Sequence, residues 1–147
     1  MRSVLVGAFV LATTLVLSPG AEADLLSKSY VFKDGVTLEL GAATGDGLRV
    51  DSVQFKLPAP VGDRTSRVAG LAAVQVKVSN LAEKSRKAGV VVALFDDEGR
   101  LLGVASGGTS LMTLKSGRQK SYTLVFDNVN SEVHRATKFQ ISIESKP

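Results

Sequence analysis

The densest group of side chains able to do chemistry is the acidic triplet Asp96-Asp97-Glu98, inside the segment VVALFDDEGRLLG that runs from Val91 to Gly103. Three adjacent carboxylates raise the question of a calcium site. An EF-type loop spaces its acids one residue apart, as D-x-D-x-D-G, and adds a distant bidentate Glu. Here the acids are consecutive, and neighbours on an extended chain point to opposite sides. Asp46 and Asp51 offer no better spacing. The segment therefore reads as a turn, with Val91–Phe95 entering and Leu101-Leu102 leaving. Asp and Glu suit the first positions of a type I turn, and Gly99 suits the left-handed residue that closes a short hairpin loop.

Other catalytic constellations are missing their partners. The one histidine, His134, lies in the polar stretch Asn128–Thr137. A serine triad needs such a base beside a strained nucleophile, and no G-x-S-x-G elbow occurs. Ser106 sits in GVASGG, whose glycines fall in the wrong places. The same glycine-rich run has no following G-K-[ST] and no helix to present its N-terminus to a phosphate. The chain has no cysteine, so thiol catalysis and thiolate metal sites are closed to it. Glycoside hydrolysis needs facing carboxylates, and sugar binding favours aromatic platforms. There is no Trp, and Tyr30 and Tyr122 are the only tyrosines. The residues predict a protein that is not an enzyme and carries no cofactor or metal.

The formal net charge is +4, from 18 basic and 14 acidic residues. The basic residues are scattered, apart from one small cluster at Lys84, Arg86 and Lys87. Nucleic-acid binding would need a denser patch with aromatics interleaved, and is not expected. A positive surface could meet anionic envelope polymers or lipid head groups, though scattered charge is also what solubility alone requires. Asn80, Lys84, Arg86 and Lys87, on the loop Ser79–Ala88, form the candidate interaction loop.

The elements that would position these residues begin after a targeting segment. Met1-Arg2 is positive, Ser3–Ser18 is almost wholly apolar, Pro19-Gly20 breaks a helix, and Ala21-Glu22-Ala23 has the small-x-small pattern of a cleavage site. That order predicts a secretory signal peptide over residues 1–23 and an exported chain, periplasmic or extracellular. The apolar run is shorter than the ~20 residues of a membrane span. Contact with a membrane is expected through this segment alone. Residues 24–147 then have the size of one domain, long enough to bury a core without disulfides.

Within that domain the hydrophobic period is two. Val74, Val76 and Val78 alternate with Gln75, Lys77 and Ser79; Phe139, Ile141 and Ile143 alternate with Gln140, Ser142 and Glu144; Val36, Leu38 and Leu40 alternate likewise. Such alternation marks antiparallel strands with one face on a core. Strands are predicted at Ser29–Lys33, Val36–Leu40, Leu48–Leu57, Ala72–Ser79, Gly89–Phe95, Arg100–Ala105, Ser121–Asp127 and Lys138–Ser145. Asp34-Gly35 reads as a two-residue hairpin turn joining the first two. Pro58-Ala59-Pro60 and the polar Val61–Arg67 form a connector, since Asp24–Leu57 is too short to hold a core of its own. The pattern predicts an all-β, antiparallel, immunoglobulin-like β-sandwich of about 7–9 strands without significant helix, or in second place a closed barrel.

From Val74 the chain carries V-x-V-x-V-x-N ending at Asn80, a strand closing in Ala93-Leu94-Phe95-Asp96, a D-E-G-R turn, and L-K-S-G before Tyr122. Over Val74–Phe126 this resembles the FxLYD-type immunoglobulin-like domains of bacterial and archaeal envelope proteins. Leu94 and Asp96 match the F-x-L-Y-D motif, Phe95 stands for its tyrosine and Val92 for its phenylalanine. The resemblance implies a small sandwich in the cell envelope with no catalytic residues to carry over. Asn80, at a strand end, is expected to bond nearby backbone and fix its loop. Tyr122 is expected to pack its ring and to bond its hydroxyl to backbone. The function expected is protein–protein contact or assembly with an envelope partner; the other reading is a binding module for a small ligand, a metal ion or an anionic polymer.

Overall fold

A computed structural model describes residues 24–57, 72–109, 113–126 and 133–147. The expected signal peptide over residues 1–23, the expected Pro58-Ala59-Pro60 connector and the polar Val61–Arg67 stretch lie outside the described residues. Among the described residues there are eight strands: β1 (Asp24–Val31), β2 (Thr37–Ala43), β3 (Leu48–Lys56), β4 (Ala73–Asn80), β5 (Lys87–Phe95), β6 (Leu101–Gly108), β7 (Gln119–Val125) and β8 (Lys138–Lys146). The one helical piece among the described residues is a 3₁₀ turn, Val133–Arg135. No helix among them is long and apolar enough to cross a membrane.

The strands form two four-stranded sheets, ordered β1-β8-β5-β6 and β2-β3-β4-β7, and every strand pairing is antiparallel. The sheets face each other as a β-sandwich. Alternation decides what lies between them. Val74, Val76 and Val78 of β4 face Val90, Val92 and Leu94 of β5, with Phe139, Ile141 and Ile143 of β8 beside them, all buried. In β3 strict alternation from Leu48 and Val50 would send Val53 and Phe55 outward. A bulge between Val50 and Ser52 resets the phase, so both are buried.

Counted from β3, the order β3-β4-β7 against β6-β5-β8 is the A-B-E against C′-C-F arrangement of an immunoglobulin sandwich. The edge position beside F, which the last strand G normally fills, is taken here by β1, the first strand. β2 adds an edge outside A.

This corrects one sequence expectation. Asp34-Gly35 does not turn a hairpin: β1 pairs with β8 in one sheet and β2 with β3 in the other. The dipeptide is a crossover between sheets, held by a Gly35 N–H to Phe55 carbonyl bond of 3.1 Å and by the Asp34 carboxylate, which accepts from the Leu57 N–H at 3.1 Å. Aromatic packing outweighs the local turn preference. Tyr30 stacks on Phe139 at 5.3 Å, Phe139 meets Phe55 edge-on at 4.9 Å, and Phe55 meets Phe32 at 4.8 Å. A direct β1–β2 hairpin would forfeit this chain of rings, whose contacts each add about 0.5–1.5 kcal/mol beyond burial.

Candidate functional site

The acidic triplet sits at the tip of the β5–β6 hairpin, and its three members have different jobs. Asp96 is fully buried, whereas Asp97 and Glu98 are exposed. Asp96 Oδ1 accepts from the backbone N–H groups of Glu98 at 3.0 Å and Arg100 at 2.8 Å; Oδ2 accepts from Arg100 Nε at 2.7 Å. Gly99 closes the turn at φ 81°. Burial alone would raise the Asp96 pKa, but the backbone and guanidinium donors of Arg100 and the Glu98 N–H hold it below the usual carboxylate value. Both carboxylate oxygens of Asp96 are thus directed at its own turn, and the side chain is closed off from solvent. No group of three or more His, Asp or Glu side chains placed to hold a metal occurs among the described residues.

The candidate interaction loop divides in the same way. Asn80 is fully buried, so it is not a contact residue: it holds the loop from inside. Its Nδ2 donates to the carbonyls of Lys84 at 2.9 Å and Leu114 at 2.8 Å, and its Oδ1 accepts from the Ala82 N–H at 2.9 Å. Arg86 is half-buried and lies 3.4 Å from Asp46, while its backbone pairs with Leu114. Burial would raise the Asp46 pKa; the Thr44 hydroxyl, which donates to it at 2.6 Å, and the Arg86 guanidinium bring it below the usual value instead. Of these four residues, Lys84 and Lys87 are the exposed ones. The loop is a pinned strap with two lysines on it.

Tyr122 is buried against the core, but its hydroxyl finds no hydrogen-bond partner among the described residues. The expected bond to backbone is absent because the ring lies inside the sandwich, where neighbouring strands spend their carbonyls on each other. Burial raises its pKa. His134 is exposed on the 3₁₀ turn. Ser106 lies on β6, facing outward in register with Val91.

The two outer faces of the sandwich differ in kind. Outside the β2-β3-β4-β7 sheet, register sets Thr37, Gln54, Gln75 and Thr123 in one row and Glu39, Ser52, Lys77 and Ser121 in the next. Asp51 ties this face together, accepting from Ser79 Oγ at 2.5 Å, Gln119 Nε2 at 2.8 Å and Arg49 Nε at 2.6 Å. A groove of about 450 Å³ opens between the Asp34-Gly35 crossover, Gln54, Gln75 and Thr123.

The outside of the β1-β8-β5-β6 sheet carries apolar side chains on β5, β6 and the two ends of β1, divided by the polar row Lys138, Gln140, Ser142 and Glu144 of β8. Of the exposed large hydrophobic side chains, Leu25, Val31, Val91, Leu101 and Val104 all point from this face, and Val36 and Leu81 lie elsewhere. Leu25 is 66% exposed and Val31 68%. A second groove, of about 470 Å³, runs over Gly89 between Leu25, Val91, Ser106 and Glu144. No family model matches the sequence, and no curated protein matches it. Function is therefore argued from these surfaces.

Proposed function

We propose that the protein is an exported, non-enzymatic β-sandwich of the FxLYD type that works by protein–protein contact. One observation carries this reading: among the described residues, five of the seven exposed large apolar side chains lie on one sheet face, with Val91, Leu101 and Val104 adjacent across β5 and β6, while the opposite face is polar. Contiguous apolar surface on a soluble domain marks an interaction site more often than scattered apolar residues do. The motif positions Leu94, Asp96 and Asn80 serve the fold, the first in the core and the others holding turns, which suits a family without catalytic residues. The signal-like segment over residues 1–23 supports delivery to the envelope, where such a partner would be met.

A photo-cross-linking residue placed at Val104 and, as control, at Lys77 tests this in the producing cells. The reading expects an adduct from Val104 and none from Lys77. No adduct from Val104 would refute it.

The groove on the polar face favours a second reading, a binding module for an anionic polymer, because Lys56 lines that groove and Lys77 stands beside it. Ligands that bind the native state raise its melting temperature. Anionic polysaccharides that leave the melting temperature unmoved would remove this reading.

A further inference from the structure

We infer that the outer face of the β1-β8-β5-β6 sheet, apolar on β5 and β6 and polar along β8, is covered by the same face of a second copy, turned end for end about a two-fold axis lying across the strands. This names the partner for the contact function proposed above and rests on that reading. A two-fold interface requires a patch complementary to itself, and this face has that property in both shape and charge.

Shape comes first. One end of the face is raised, with Val31, Phe95 and Leu101 in the register row of Lys138. The other end is hollow: the row of Leu25 and Glu144 crosses Gly89, whose missing side chain floors the groove of about 470 Å³. Turning one copy end for end sets Phe95 over Gly89 of the other copy, twice. Val31 then meets Leu25, and the central row that holds Val91 meets the one that holds Ala93.

Charge follows the same axis. On β8, Glu144 and Lys138 lie at opposite ends of the face, so each Glu144 comes over the second copy's Lys138. Beyond the hollow end stand Lys87 and Lys146; beyond the raised end stand Asp97 and Glu98 at the hairpin tip. The outermost rows are therefore of opposite sign and meet each other. Glu144 also pairs with Lys146 at 2.9 Å and Glu98 with Arg100 at 3.3 Å within one chain, so each enters the contact as part of a cluster.

In the middle of the face, three polar side chains are already paired with one another before any partner arrives. Ser27 Oγ lies 2.8 Å from Ser142 Oγ and accepts from Gln140 Nε2 at 2.7 Å, which lowers the cost of covering this part of the face; Ser29 and Ser106 remain open to bonds with the second copy. Four strands at ~4.8 Å spacing and about seven residues along each give roughly 450 Å² of projected area per copy. That falls at the low end for specific interfaces, which fits a weak, reversible dimer.

Sedimentation equilibrium of the purified protein tests the inference, with circular dichroism to confirm that each variant is folded. A dimer is expected at about 100 µM. Val91→Glu, at an exposed position, should leave a folded monomer. Lys138→Glu should weaken the dimer at least tenfold, and adding Glu144→Lys should restore it, because the reversed pair is complementary again. A wild type that stays monomeric overturns the inference, as does a dimer indifferent to Val91→Glu or to the charge reversals. The Val104 cross-link separates the two levels of the argument. An adduct of twice the chain mass supports the second copy. An adduct of another mass overturns the second copy while leaving contact as the function, and no adduct refutes both.

Discussion

Arg100 donates a 2.7 Å hydrogen bond from Nε to Oδ2 of Asp96, and the same carboxylate holds the backbone of the turn that lies between them. A buried acid and its exposed cation thus form one structural unit at a hairpin tip. Asp96→Ala removes three accepted hydrogen bonds and leaves two turn N–H groups without their partner. The melting temperature should fall by more than ~4 °C. Asp97→Asn, at an exposed position, should leave it within ~1 °C of wild type. Differential scanning calorimetry of the two variants checks the contrast.

Acid sensitivity follows from Asp51. Burial would raise its pKa, but the bonds from Ser79, Gln119 and Arg49 lower it below the ordinary value. A carboxyl with a depressed folded-state pKa stabilises the native state fully above its unfolded value, about 4, and loses that contribution as pH falls through the folded value. Wild type should therefore melt higher than Asp51→Asn at pH 7, and the gap should narrow as pH is lowered below about 4. A gap that stays constant down to pH ~2 would contradict the assignment.

Asn80 and Lys84 lie on the same loop but should behave oppositely. Asn80→Ala strips partners from the carbonyls of Lys84 and Leu114 and from the Ala82 N–H, at a cost of roughly 2–4 kcal/mol. Lys84→Ala should be neutral within about 0.5 kcal/mol. Urea denaturation of both variants decides this.

Two glycines provide a graded test of backbone constraint. At Gly99 a side chain would meet open space, so Gly99→Ala costs only the left-handed backbone, roughly 1–2 kcal/mol, and Gly99→Val costs more. At Gly108, with φ 148°, an added Cβ would lie 1.9 Å from the Ala88 carbonyl oxygen. Backbone cannot yield as a side chain does, so Gly108→Ala should exceed ~3 kcal/mol. Equal melting temperatures for Gly99→Ala and Gly108→Ala would show that the end of the β5–β6 pairing can open freely.

The strands were legible because alternation is a local signal: Val74, Val76 and Val78 announce their face without help from any other part of the chain. Pairing was not, because it depends on distant residues. Nothing near Asp34-Gly35 says that Tyr30 will stack on Phe139. The hairpin tip was readable as a turn, yet not which of its acids is buried, since that depends on the guanidinium of Arg100 folding back. Asn80 was readable as a loop-fixing residue from its place at a strand end, but its bond to Leu114 spans two other strands. The apolar outer face did leave a trace. In Val90–Phe95 no polar residue interrupts the run, so alternation cannot hide Val91 and Phe95, and one side of β5 had to be apolar toward the outside. Two four-stranded sheets also decide between sandwich and barrel, which periodicity could not.

The place of β1 has a consequence for how the chain folds. Leu26 pairs with Ile143, and Asp24 with Ser145. The strand that leaves the ribosome first among those described waits for the one that leaves last. Until β8 is made, Leu26 and Tyr30 have no apolar surface of their own sheet to join, and β5 keeps a bare edge. Pairings this distant in sequence raise contact order and slow the closing step. The nascent protein should stay open, and exposed to chaperones and proteases, until β8 has been made.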